Sequence, residues 1–221
     1  MQKIKIILAS SSPRRKEMVK WMGIPFEILP ADIDERLHEN EKPITHVKRL
    51  ACEKAQKIAL SGNTNAVILA ADTIVIKDED ILGKPKDNRR AVEMLQALRG
   101  RVHQVATAVC IIAPAYPPFQ DICISPVKMR AYTDDEIRAY VDSGDPMDKA
   151  GAYAIQSGSF NPVSQFSGCF ASVMGFPFCH IERNLRKIDG YNCLPVAEIC
   201  QQNLHYVCPI FSRVLDGEDI G

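Results

Sequence analysis

Three serines and two adjacent arginines stand at residues 10–15, one residue, Ala9, after the apolar run "IKIIL". Where a strand turns into a helix, free backbone N–H groups and the helix dipole favour an anion. Ser10, Ser11 and Ser12 add hydroxyl donors, and Arg14 and Arg15 add guanidinium forks shaped for phosphate oxygens. The pattern GxxxxGK[ST] is absent, so this is not a Walker loop. Taken alone, the six residues are described equally well as a capped surface helix with two solvated arginines.

Other stretches carry similar potential. Asp72 closes the run "AVILAA", at the expected C-terminal end of an interior strand, the edge of an α/β sheet where ligands gather. A carboxylate there can hold a divalent cation or accept a proton from water. The competing account is an Asp that turns the chain or caps a neighbour. Asp32, Asp34 and Glu35 in "ADIDE" can share a hard cation, although such a run is more often a solvated loop. Lys84, pinned between Gly83 and Pro85, suits a phosphate, but the tripeptide is more commonly only a turn. In "DKAGAYAIQ", residues 148–156, two small residues follow Lys149 and permit close backbone approach. The Gln156 amide can pair with a base edge or a phosphate, while a tight turn entering a strand would use the same residues. Lys54 borders the apolar face of a helix, where it either points into a cleft or snorkels to solvent.

These groups need elements to position them. "KIKIILA" (residues 3–9) predicts a buried strand, followed by a helix capped by Ser12, opened by Pro13 and ended at Gly23. "PFEILP" predicts a short second strand. Val47, Leu50, Ala51, Ala55, Ile58 and Ala59 share one face of a helix over 44–60, closed by Gly62. "AVILAAD" is apolar throughout, as an interior strand requires, and "TIVIKDEDILGKP" predicts a hairpin turning at 78–80. Asp87 caps a helix that stops before Gly100. Residues 101–112 and 121–132 predict long strands, and "TDDE" at 133–136 has capping-box spacing. "SGSFNPVSQFSG" predicts a loop, and Pro177 and Pro195 open two helices. No internal repeat appears. Strands alternate with helices early and cluster in the middle, which predicts an α/β fold with a mixed, twisted sheet flanked by helices.

The chain has 221 residues with 27 basic and 27 acidic side chains. That length suits one sizeable domain over 1–221, in two lobes. The zero formal charge offers no global field for nucleic acid, and no run is long enough for a membrane span. The start has no signal-length apolar segment, so a cytoplasmic protein is expected. Eight cysteines occur without a CxxC pair, mostly in apolar segments, and are expected as buried thiols rather than disulfides or a zinc site.

In combination the stretches become specific. "ILASSSPRR", "DIDE", "EKA", "AADTIV", "GKP", "TAV" and "DKAGAYAIQ" occur in an order that resembles the Maf-like nucleoside triphosphate pyrophosphatases, over about residues 4–187. The resemblance implies an α/β fold of two lobes with a deep substrate cleft. It implies hydrolysis of a nucleoside triphosphate to the monophosphate and pyrophosphate with a divalent cation, Mg²⁺ or Mn²⁺. Asp72 matches the family's general base. Ser10, Arg15, Glu35, Lys54, Lys84 and Gln156 match polar positions of the cleft. Arg14, Thr73 and Gln156 are similar to the branch acting on dTTP and UTP, whereas a sister branch acting on 7-methyl-GTP carries tryptophan in place of that arginine. Ala154 departs from the family's usual glycine, "SVMGFP" from its usual "VVGLP", and a helical extension over about 190–221 has no matching motif.

On this reading Glu35 and Asp72 lie near the metal, Asp72 directs water at the α-phosphate, and Arg15, Lys54 and Lys84 stabilise the transition state. The alternative is a nucleotide-binding regulator of cell division acting through a partner. A serine hydrolase is disfavoured, because no GxSxG elbow is present. The five histidines, His38, His46, His103, His180 and His205, are expected to be structural. A homodimer is the expectation from the general prevalence of twofold assemblies.

Overall fold

The computed structural model describes residues 5–63 and 65–221. The first two residues of the strand expected over 3–9 lie outside the described residues. Its remainder holds strand β1 (Ile6–Leu8), buried on both faces. Strand β1 pairs in parallel with β2 (Phe26–Ile28) on one side and β3 (Val67–Lys77) on the other. An interior parallel strand has no solvent face, which is why its residues are all apolar.

Among the described residues the sheet has seven strands in the order β2-β1-β3-β5 (Val102–Ile112)-β6 (Phe119–Met129)-β7 (Val163–Phe166), with β4 (Asp80–Leu82) paired to β3. The antiparallel members are β4, β5, β6 and β7. Strands β3, β5 and β6 each have 11 residues, a span of roughly 36 Å. They are long enough to serve two lobes. One face of β3 and β5 packs along its length, from Ile68 to Ile76 of β3, against α2 (Pro43–Leu60), and at one end of the opposite face the strands pack against α1 (Pro13–Trp21) and α6 (Phe178–Leu185). At the other they pack against α3 (Asn88–Leu98), α4 (Asp134–Asp142) and the 3-10 turn Ala150–Ala152.

The local signals behave as their chemistry requires. Ser12 and Asp87 accept hydrogen bonds from Arg15 N and Arg90 N, and Thr133 and Glu136 form a complete capping box. The β3–β4 hairpin turns through Asp78 and Glu79, both at positive φ (50° and 72°), the twist that a two-residue hairpin loop needs. All eight cysteines are free, and most are buried. Among the described residues no helix is long and apolar enough to cross a membrane.

Three expectations change. Asp72 does not end a strand: "AVILAAD" and "TIVIK" form one continuous β3, because β5 pairs with it from Ile68 through Ile76. The stretch "SGSFNPVSQFSG" holds β7, whose alternating Val163 and Gln165 pair with Met129 and Lys128. "AGAYAIQ" enters no strand, and turns instead at Gly151 (φ 68°). Two short helices, α5 (Phe170–Val173) and α8 (Phe211–Leu215), had no clear signal, and α7 (Val196–Leu204) begins after Pro195 as expected. Val196, Ala197, Cys200 and Val214 join the same core as β1 and α6, so the C-terminal helices are packed into the molecule.

The cleft arises from a gap in one sheet edge. Strand β1 accompanies β3 only as far as Leu69, and β4 takes up the same edge from Val75. Residues 70–74 of β3 therefore have no strand beside them on that edge. Alternation places Asp72 on the α2 face with Ile68, Ala70 and Ile74, and Thr73 on the opposite face.

Candidate active site

A cavity of about 500 Å³ opens at this gap. Its lining includes Ser10, Arg14, Arg15, Glu35, Lys54, Asp72, Thr73, Lys84 and Gln156 of the residues singled out from the sequence, but not Asp32 or Asp34. The β1–α1 turn supplies one lip. The loop after β4, with Gly83 and Lys84, supplies another, and residues 148–156 a third.

At the floor, Lys54 Nζ lies 2.5 Å from Asp72 Oδ1 and 2.6 Å from Glu35 Oε1. Lys54 is buried, so it does not snorkel. Helix α2 and strand β3 pack face to face, and that contact brings the ammonium onto the carboxylate. Burial pushes the Glu35 carboxyl up. The hydrogen bond from Lys54 and the charges of Lys54, Lys84 and Arg15 outweigh this and leave it below the ordinary glutamate value. The other acids of "ADIDE" play no such part. Asp34 is bound by Arg36 at 2.6–2.9 Å, and Asp32 is not among the cavity residues. Only Glu35 of the three enters the site.

The serine–arginine turn divides its labour. Ser10 is buried and its Oγ accepts from Ser12 N. Arg15 reaches across to Gly175 O (2.8 Å, from Nε) and to Thr73 Oγ1 (2.8 Å, from Nη2). Burial lowers the Arg15 pKa against the raising effect of Asp72, and a guanidinium so placed remains charged. Arg14 turns to the opposite lip, where Nη1 meets Asp148 Oδ2 at 3.4 Å. Lys84 and Gln156 are exposed at the rim.

Some cavity residues were not identified as functional in the sequence. Lys149 is buried and paired with Asp148 (2.6 Å) and Asp145 (3.0 Å). His46, expected to be structural, lines the cleft with Leu50 and Lys54. Its Nδ1 lies 3.0 Å from Glu41 Oε2, and Arg49 holds the same carboxylate. The signal for His46 was its four-residue spacing from Leu50 and Lys54, which puts all three on one helical stripe. Gly175 at φ 102° had none: its role rests on a contact 160 residues away in sequence, with Arg15.

The lining is rich in charge of both signs, with Arg14, Arg15, Lys54, Lys84 and Lys149 against Glu35, Asp72 and Asp148. An excess of cations around a poised carboxylate suits a polyanion that is to be attacked. Glu35 and Asp72 are hard oxygen donors. Each keeps one oxygen without a hydrogen bond among the described residues, which fits a hard divalent cation.

Comparison with known proteins adds a second line. Residues 5–188 match the sequence model of a family described as Maf-like protein. A protein named dTTP/UTP pyrophosphatase from Acetivibrio thermocellus is 44% identical over 181 residues, 79% of this chain and 90% of that one. Proteins of the same name from Geotalea uraniireducens and Aquifex aeolicus are 42% and 40% identical. The matches cover 85% and 84% of this chain, and 97% and 96% of theirs.

Proposed function

The chain belongs to the Maf-like protein family, and from that premise we propose that it is a nucleoside triphosphate pyrophosphatase. It cleaves dTTP and UTP between the α- and β-phosphates, releasing the monophosphate and pyrophosphate. The observation that carries this reading is the meeting of Glu35, Lys54 and Asp72 below the Ser10–Arg15 turn.

Lys54 fixes Asp72 through Oδ1, which leaves Oδ2 without a hydrogen bond among the described residues. That oxygen orients the attacking water and takes its proton as the new P–O bond forms. Lys54 cancels part of the charge that would otherwise keep two carboxylates apart. Arg15 and Lys84 bring positive charge to the triphosphate from two lips of the cleft, and stabilise the negative charge moving to the β-phosphate. Arg14, Thr73 and Gln156 select the base. Glu35 and Asp72 would hold Mg²⁺ or Mn²⁺, and neutralisation of the leaving pyrophosphate is the chemistry such a cation supplies when bound.

The test is pyrophosphate release from a panel of nucleoside triphosphates with Mg²⁺ or Mn²⁺, beside Asp72→Asn. Release from dTTP and UTP that the substitution abolishes is the expected result. Release from other nucleotides alone would keep the chemistry and overturn the base preference. Tight nucleotide binding without release would turn the reading towards a regulator acting through a partner.

A further inference from the structure

Thr107 lies directly opposite Thr73 in the β3–β5 register and is fully buried. Its Oγ1 is 2.8 Å from Ser172 O and 2.8 Å from Thr73 Oγ1. A carbonyl only accepts, so the Thr107 proton goes to Ser172 O. The bond between the two hydroxyls must then be donated by Thr73, whose oxygen also accepts from Arg15 Nη2. Ser172 O accepts as well from Gly175 N (2.8 Å), and Gly175 O accepts from Arg15 Nε. The bonds close into a ring that leaves Arg15 from two of its nitrogens and returns through Thr107.

We propose that Thr107 is a positioning residue for Arg15: it holds Thr73 on one side of the guanidinium and the Ser172–Gly175 turn on the other. Thr73 spends its only proton inside the ring. Its influence on the substrate therefore runs through Arg15 rather than through donation to the base. This deepens the pyrophosphatase reading and rests on it for the kinetic part of the test.

Thr107→Val keeps the shape and removes the hydroxyl. The expected loss in kcat/KM for dTTP is about ten- to hundredfold, the effect of a displaced catalytic group. Thr107→Ser, which keeps the hydroxyl, should recover activity to within about threefold. In an Arg15→Ala background Thr107→Val should have no further effect. An equal loss in both backgrounds, or no loss in either, would overturn the proposal.

A second measurement does not depend on turnover. The Arg15 Nε–H resonance should be protected from solvent exchange in the unaltered protein and lose that protection in Thr107→Val. Thr73→Val cuts the ring at its next bond and serves the same purpose if Thr107→Val does not fold. Unchanged protection would sink the proposal. A protein that releases no pyrophosphate would refute the function while leaving this measurement to decide the ring.

Discussion

Lys54 Nζ and Asp72 Oδ1 stand 2.5 Å apart, and both residues are more than nine-tenths buried. The pair joins helix α2 to the centre of β3. Removing one partner of such a pair strands the other in a poorly hydrated place, at a cost of about 3–5 kcal/mol. Lys54→Met should therefore lower stability to urea by about that amount. Asp72→Asn leaves Lys54 its contact with Glu35 and should be milder in stability, yet reduce turnover at least about a hundredfold. Urea melts beside pyrophosphate release separate the two effects. An Asp72→Asn protein that turns over at the unaltered rate would remove Asp72 from the chemistry.

Gly175 is a second point where shape and charge meet. Its φ of 102° lies where side chains are strained, and a Cβ there would sit 3.2 Å from Thr73 Oγ1 and 3.3 Å from Arg15 Nε and Nη2. Gly175→Ala should cost about 1–3 kcal/mol from backbone strain alone, and push the guanidinium off its place. Thermal melting and kcat/KM should fall together. Gly158, where a Cβ would meet nothing within 4 Å, is the control: Gly158→Ala should leave both nearly unchanged.

His103 predicts a pH dependence of folding. It is buried against Tyr153, with Nε2 2.8 Å from the phenolic oxygen and Nδ1 without a partner among the described residues. Burial lowers its pKa to about 4 from the ordinary 6.5. The folded state thus refuses a proton that the unfolded chain accepts. The stability associated with the neutral ring is intact above about pH 6.5 and lost as the pH falls towards about 4, a loss of about 3 kcal/mol when complete. His103→Phe should flatten this part of a stability–pH curve. Carboxylates with lowered pKa values, such as Glu35, add their own loss at the acid end, so the slope between about pH 5 and 6.5 is the region to compare.

Local chemistry was legible where one stretch of chain decides the outcome. The caps at Ser12, Asp87 and Thr133, and the apolar faces of β1 and α2, follow from side chains a few residues apart. The continuity of β3 was not legible, because it depends on β5 pairing across the point where β1 stops. The site divides in the same way. The polar residues matched by the family resemblance line the cleft, yet nothing in "SVMGFP" or "TAV" says that Gly175 and Thr107 close a ring on Arg15. Likewise "ADIDE" could not say that Arg36 would take Asp34 and leave Glu35 for the cleft, since that choice is made by where the loop meets α2.

Arg14 and Asp148 give the last prediction. They come from opposite lips of the cleft, meet at 3.4 Å, and are partly exposed. A pair of this kind contributes less than about 1 kcal/mol to folding, so its value lies in where it leaves the guanidinium. Burial pushes the Asp148 carboxyl up, but its hydrogen bond with Lys149 and the Arg14 charge hold it below the ordinary value, and it stays ionised at neutral pH. An ionised Asp148 both orients Arg14 and repels a triphosphate. Asp148→Asn should therefore lower KM for every nucleotide by a similar factor while narrowing the preference for dTTP and UTP. Lys149 keeps its contacts with Asp145 in that variant, so the cleft wall should stand. Arg14→Ala should raise KM and narrow the same preference, with little change in melting temperature. Measuring kcat/KM for dTTP, UTP, dCTP and GTP in both variants decides the matter: an unchanged ratio among the four in Arg14→Ala would take base selection away from Arg14 and leave it to Gln156.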